Sequence, residues 1–395
     1  MTNEELIQKA ITAAETFATY GKLNPAQSDK FIDYVIDETV LKDNVRVVRF
    51  RNEELTIDKI GIGKRVMFPA TEYVAPSIRL GVVPSKITLK PQEVITAFDI
   101  SDAAKEITLE GDSFEDHVIK MFATGWGNDQ EQLVLNADAI GPAVIEGDIL
   151  PGGSQTRYIK DDLMGMVDGW SRLADGSHLV NAGNVSVGLN VFSAMIRAMP
   201  QKFRRNKSQL RFFMASDLAQ IYIEKIATRM TPKGDAATEG QIQTPFGIPI
   251  VEVPLMDLLP KVTENVTMTG VVAQSLRYAP YSAEIVTPSD LAAVPTVPYV
   301  KDTDYSVDYT SGTITRIATG AITDAQVVKV TYSSNPQILL THWQNFILAI
   351  GRDIRIERQR NIHKRANEYV VTGKIDCQIE ELDAAVKAYN VGANV

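Results

Sequence analysis

The side chains able to do chemistry are few and scattered. Four histidines, His117, His178, His342 and His363, have no histidine, cysteine or carboxylate at zinc-site spacing nearby. His117 follows Asp116, and a histidine in that setting is more often packed or solvent-facing than ligating. Gly61-x-Gly63 in DKIGIGKR lacks the glycine spacing and Lys-Ser/Thr of a P-loop. It also lacks the third, helix-opening glycine of a dinucleotide site, so a turn is the simpler reading. KDTDYSVDYTSG, with Asp302, Asp304 and Asp308, is acidic enough to suggest calcium, yet it has no EF-hand glycine and no bidentate glutamate. There is no Gly-x-Ser-x-Gly elbow. The single cysteine, Cys377, lies mid-strand on an apolar face and reads as a small core residue rather than a nucleophile. The expectation is no catalytic, cofactor-binding or metal-ligating residue, no cofactor, and no enzyme.

Two basic clusters remain. Arg197, Lys202, Arg204, Arg205, Lys207 and Arg211 surround a helix end; Arg352, Arg355, Arg358, Arg360, Lys364 and Arg365 precede the last long strand. Either could meet phosphates. Neither has aromatics at stacking spacing, so salt bridges between subunits or a solvated face compete with that reading.

Composition sets the frame. A 395-residue chain with 45% hydrophobic residues can bury a sizeable core. A net charge of −9 argues against a surface that grips nucleic acid throughout, while leaving a local basic face open. One cysteine permits no intramolecular disulfide. No apolar run reaches membrane-spanning length, and the acidic, amphipathic start is wrong for a secretory signal. A soluble cytoplasmic protein is the expectation.

The positioning elements centre on residues 111–138, which read as one long helix. Asp112 and Ser113 can cap it, Glu115 and Asp116 suit its first turn, and Asn136 with Gly141-Pro142 stops it. Its stripe runs through Phe114, Val118, Met121/Phe122, Gly125/Trp126, Asp129 and Leu133, with Asp129 the one polar break. Before it come two short helices and then β-like runs over 45–100, read as a two-stranded excursion with a tip near 69–84. A lone hairpin is marginal in water, so it needs a surface to lie on. After the long helix, 181–199 reads as a helix, Leu210–Met214 as a buried strand, and Ser216 as the cap of another helix. Residues 281–337 have turn signals every 8–12 residues and read as an inserted all-β module. Its carboxylates (Glu284, Asp290, Asp302, Asp304, Asp308, Asp324) outnumber its cations, Lys301, Arg316 and Lys329. Excision of 283–336 should then leave the rest intact. Residues 367–380 alternate with period two, the clearest strand signal in the chain.

The order of these pieces resembles the tailed-phage major capsid proteins with the HK97-like fold. The stretches that carry the resemblance are ITAFDISDAAKEITLEGDSFEDHVIKMFATGWGNDQEQLVLNAD, LRFFMASDLAQIYIEKI with TPFGIPIVEVPLM, and NFILAIGRDIRIERQRNIHKRANEYVVTGKIDCQIEELDAAV. The resemblance implies an α+β fold with a small all-β insertion. It implies an N-terminal arm at 1–44, an extended E-loop at 45–100, and the spine helix of a peripheral domain at 101–141. Axial and peripheral α+β parts would follow at 142–280, the inserted β module at 281–337, and a return with closing strands at 338–395. By the same resemblance the chain self-assembles as pentamers and hexamers into an icosahedral head around double-stranded DNA. Portal, scaffolding or decoration proteins would be further partners, no membrane is involved, and assembly takes place in the host cytoplasm before the protein resides in the virion capsid. An encapsulin-like compartment enclosing a cargo enzyme is the alternative. Covalent cross-linking in this family needs a Lys–Asn pair; Lys64 and Lys86 lie in the excursion, but no asparagine partner is identifiable, so none is expected.

Overall fold

The computed structural model describes residues 41–50, 52–61, 83–103, 113–145, 158–228, 244–256, 259–288 and 297–392. The arm helices expected over 4–36, the excursion tip and the loop at 146–157 lie wholly or mainly outside the described residues.

After a short 3-10 turn, β1 (Arg46–Arg49) begins the described β structure. β2 (Leu55–Gly61) and β3 (Val83–Leu89) pair antiparallel from Leu55–Leu89 to Gly61–Val83, and β4 (Gln92–Ser101) follows. The excursion is thus narrower than 45–100. β1 runs parallel to 347–350 and β4 antiparallel to 366–375, so both belong to a main sheet and only the β2–β3 hairpin projects from it. Leu55, Ile57, Ile87 and Leu89 pack the hairpin's base against Ile347 and Ala349 of that sheet.

The long helix, α1 (Ser113–Asn136), runs unbroken through Gly125 and Gly127. Its C-terminal half is buried, with Trp126, Gln130, Leu133, Val134 and Leu135 turned inward. The buried stripe passes through Gln130 rather than Asp129, which is exposed; the polar break is resolved by a slight rotation of the face. Gly125 has open space where a Cβ would sit. Gly125→Ala should therefore stabilise the folded chain by about 1 kcal/mol through helix propensity alone, read as a higher denaturant midpoint.

β5 (Ala143–Ile145) and β6 (Tyr158–Lys160) form a small ladder, followed by α2 (Trp170–Leu173). β7 (His178–Ser186), α3 (Leu189–Ala198), β8 (Leu210–Ala215), α4 (Ser216–Ala227) and β9 (Ile250–Val253) come next. Two local expectations change here. The helix read over 181–199 starts only at Leu189, because 178–186 is a strand that runs parallel to 386–392 and kinks at Gly183 and Asn184, both at positive φ. Ser216 is the first residue of α4 rather than its cap; Ala215 precedes the helix without a side-chain hydrogen bond.

The all-β module comprises β10 (Lys261–Met268), β11 (Gln274–Ser275), β12 (Pro280–Pro288), β13 (Tyr305–Asp308), β14 (Thr313–Arg316) and β15 (Gln326–Ser334). Two three-stranded sheets, β10-β15-β12 and β11-β14-β13, enclose a core that includes Val266, Met268, Val286, Ile314, Val328 and Tyr332. The boundary expected at 281 therefore moves back to about 260. β10 pairs with β15 along its whole length, Lys261 opposite Ser333 through Met268 opposite Gln326. The module's ends meet, since the Ser334 N–H donates to the Pro260 carbonyl at 2.9 Å.

The chain closes with β16 (Ile338–His342), β17 (Phe346–Asn361), β18 (Ala366–Ile379) and β19 (Val386–Gly392). The main sheet has the order β1-β17-β18-β4, and a mixed five-stranded sheet has the order β7-β19-β16-β8-β9. β18 buries Tyr369, Val371, Ile375, Cys377 and Ile379 on alternate positions. Gly373 holds the remaining place in that row because a Cβ there would lie 3.0 Å from the Trp126 ring. One core joins the C-terminal half of α1 to Trp170, Phe346, Ile375 and Cys377. A second packs α3 and α4 on the five-stranded sheet through Phe192, Met195, Phe212 and Tyr222.

Candidate assembly surfaces

None of the residues read for chemistry forms a reactive centre. Among the described residues no group of histidine, cysteine and carboxylate side chains is placed to hold a metal ion. His342 bonds Gln209 at 2.8 Å, and burial followed by the Arg211 charge lowers its pKa. His178 lies 3.9 Å from Asp383, His117 is half-buried and His363 is exposed. Cys377 is fully buried, its thiol donates to the Asp168 carbonyl at 3.2 Å, and burial pushes its pKa well up. The acidic run of the module serves turns. Asp304 accepts the Val300 and Ala321 N–H groups at 2.7 Å each, and Asp308 accepts from Thr310 and Ser311. Hydrogen bonds to the ionised carboxylate, first from the Ser311 hydroxyl, hold Asp308 below the usual carboxylate range.

What the fold presents instead is surface. The hairpin's exposed edge carries ion pairs at Lys90–Glu54 (2.8 Å) and Lys86–Asp58 (4.0 Å). Apolar side chains are exposed on both sides of the main sheet: on α1 Met121 is 44% and Phe122 39% exposed, and on the opposite face of β4 Ile95 is 65% exposed. Phe98 stacks on Phe122 at 3.9 Å and on Tyr369 at 5.1 Å. The N-terminal half of α1 thus displays apolar side chains that its sequence places in the core-facing stripe.

The two basic clusters differ. In the second, Arg360 pairs with Asp102 at 2.9 Å and Lys364 with Asp99 at 3.4 Å and Glu368 at 3.0 Å. Arg355 pairs with Glu357 at 3.4 Å, and Arg358 lies over the Tyr369 ring. In the first, no ion pair forms with any of the six cations among the described residues.

A further centre escapes the sequence altogether. Where the module meets the body, Asp175 accepts Lys387 Nζ at 2.6 Å, Arg172 at 2.9 Å, Arg277 at 3.4 Å and the Tyr278 hydroxyl. Asp138 lies 3.6 Å from Arg172 and 4.0 Å from Arg277. Lys387 is 2% exposed and also donates to the Ser171 carbonyl at 2.8 Å. Lys329, buried in β15, donates to the carbonyls of Ile140 and Gly141 at 2.9 and 3.2 Å. A cavity of about 30 Å³ lined by Asn136, Asp138, Arg172, Asp175, Arg277 and Lys387 sits within this junction. Burial acts to raise the Asp175 pKa, but the charge and hydrogen bond of Lys387 outweigh it and hold the carboxyl below its usual range. Asp138 goes the other way, with burial raising it more than its partners lower it. Asp175 and Lys387 are 212 residues apart, and each participant reads locally as an ordinary loop or strand charge.

No protein-family model matches the chain. It is 26% identical over 393 residues, 99% of each chain, to YqbE of Bacillus subtilis (strain 168), which is named as a prophage capsid protein. The capsid subunit of a native GTA particle, computed with C5 symmetry, superposes with a TM-score of 0.51 at 13% identity. That likeness covers 94% of this chain and 96% of the other. Both likenesses run from end to end, and the chain has the HK97-like capsid fold.

Proposed function

We propose that this chain is the major capsid protein of a tailed phage or prophage, assembling as pentamers and hexamers into an icosahedral head that encloses double-stranded DNA. The carrying observation is the end-to-end relation to a prophage capsid protein over 393 residues, on a chain with the capsid fold. The β2–β3 hairpin is the E-loop, and with the arm it reaches over a neighbouring copy. The exposed apolar side chains of Met121 and Phe122 on α1, and of Ile95 on the other face of the sheet, support this reading, because apolar surface that a monomer leaves open is covered in a shell. α1 and the main sheet form the peripheral part, and the five-stranded sheet with α3 and α4 the axial part. Both proteins compared are shell components, and the chain acts as structure rather than as an enzyme. Portal, scaffolding or decoration proteins are its further partners, and its place is the virion.

Electron microscopy of the purified protein under assembly conditions tests this. Closed shells of uniform diameter are expected; a persistently monomeric protein would overturn the proposal. Shells that copurify with one enzyme and without DNA would instead identify a cargo compartment.

A further inference from the structure

We infer that the ridge formed by Arg197, Lys202, Arg204, Arg205, Lys207 and Arg211 is where this subunit contacts the phosphodiester backbone of double-stranded DNA. The inference rests on the DNA-filled shell proposed above and assigns one surface to that contact. No acidic residue occurs between Asp175 and Asp217, so the ridge carries no local counter-charge along the chain. Arg197 lies in the last turn of α3, and Lys202, Arg205 and Lys207 are exposed on the turn that follows. The ammonium of Lys202 lies 4.4 Å above the Phe203 ring. Arg204 is half-buried, and its Nε has no hydrogen-bond partner. Arg211 donates only to the Ser208 and Leu210 carbonyls.

The contrast with the second cluster decides the assignment. There Arg355, Arg360 and Lys364 are held by Glu357, Asp102, Asp99 and Glu368, so contact of these three with phosphate would first have to break ion pairs. The ridge has no ion pair to break among the described residues. A second copy of the chain is the competing occupant, but many of its surface carboxylates are already engaged. Glu54, Asp58, Asp99, Asp102, Glu357 and Glu368 each face a cation of their own chain. On a chain of net charge −9, DNA contact needs a concentrated patch, and of the two clusters the ridge is the one with no ion pair among the described residues.

The test uses the full unassembled chain and a fluorescent 30-base-pair duplex, with affinity followed against salt. The variant carries Arg197→Gln, Lys202→Gln, Arg205→Gln and Lys207→Gln, leaving half-buried Arg204 and Arg211 in place. A control variant carries Arg355→Gln, Arg358→Gln and Lys364→Gln. Binding to the wild type should fall steeply with salt, and the ridge variant should lose at least about tenfold in affinity and roughly 3 units of log–log salt slope. The control should stay within about twofold of wild type on the same scale. A wild-type chain carrying only the charge-preserving pair Lys202→Arg and Arg205→Lys should keep binding within about twofold, which shows that charge rather than the exact side chains carries the contact. Equal loss in both variants, or no loss in the ridge variant, would overturn the inference. Failure of the ridge variant to form shells, with DNA binding unchanged, would reassign the surface to contact between copies. Salt-dependent binding at the ridge by a chain that never forms shells would sustain the DNA contact while sinking the capsid reading.

Discussion

Excising residues 261–333 and joining Pro260 to Ser334 through two glycines should leave a soluble, folded subunit. The Ser334 N–H already bonds the Pro260 carbonyl, so a short link spans the gap. The excision removes a complete core, that of Val262, Val266, Met268, Val286, Val328 and their neighbours, without opening either of the other two large cores. The body loses docking contacts: Lys329 on two carbonyls, Arg277 at Asp175 and Asp138, Tyr278 at Asp175, the Thr331 hydroxyl that accepts the Ala143 N–H, and the Tyr278 ring against Tyr389 and Lys387. Asp175 keeps Lys387 and Arg172. Excision of 283–336, the span suggested by sequence, should fail. It leaves β10 without β15 and exposes Val262, Val266, Met268, Leu276 and Tyr278, each costing roughly 1.5–3 kcal/mol in lost burial. Soluble yield and circular dichroism of the two deletions separate the outcomes, and equal behaviour would show that β10 belongs to the body. For the first deletion, shells seen by electron microscopy would further place the module outside the assembly contacts.

Asp175→Asn should destabilise the subunit by about 3–5 kcal/mol, because it leaves Lys387 buried without its compensating charge. The amide keeps the volume of the side chain, so a cavity does not account for the loss. Lys387→Met should cost less in the Asp175→Asn background than alone, since the second change removes the stranded charge; denaturant midpoints of the four proteins in the cycle measure this coupling. Additive costs would show that the two side chains do not act as a pair. The pH dependence has a definite sign. The folded pKa of Asp175 lies below its unfolded value of about 3.9, so its contribution is complete above that pH and is lost as pH falls through the folded value. Asp175→Asn should therefore flatten the fall in stability below about pH 4. Asp138, raised by burial, acts in the opposite sense. Its protonation relieves a buried charge as pH falls from its folded value towards about 3.9, so Asp138→Asn should not reproduce that flattening. Because Asp175 joins the body to Arg277 and Tyr278, weakening it should also loosen the module, seen as faster amide exchange along β10 and β15.

Local physics made much of the fold legible. In α1, acidic residues at the first turn, a helical stripe and a stop at Asn136 specify a helix whose 24 residues the structure reproduces. In β18, strict alternation specifies a strand with one buried face, and burial follows that alternation at Tyr369, Val371, Ile375, Cys377 and Ile379. These signals survive because each depends on residues a few positions apart. The failures share the opposite property. Residues 178–186 become a strand because β19, more than 200 residues later, supplies a parallel partner. β10 belongs to the module because β15 pairs with it across nearly 60 residues of chain. The Asp175–Lys387 centre and the difference between two similar basic clusters depend on which charges are brought within about 4 Å, which spacing in the chain does not encode. By itself the sequence determined the locally specified elements such as α1 and β18, the lack of a recognisable catalytic motif in the chain, and an order of pieces that resembles that of capsid subunits. Only the tertiary structure decided where the module begins, what docks it to the body, and which of two basic surfaces keeps its charge free.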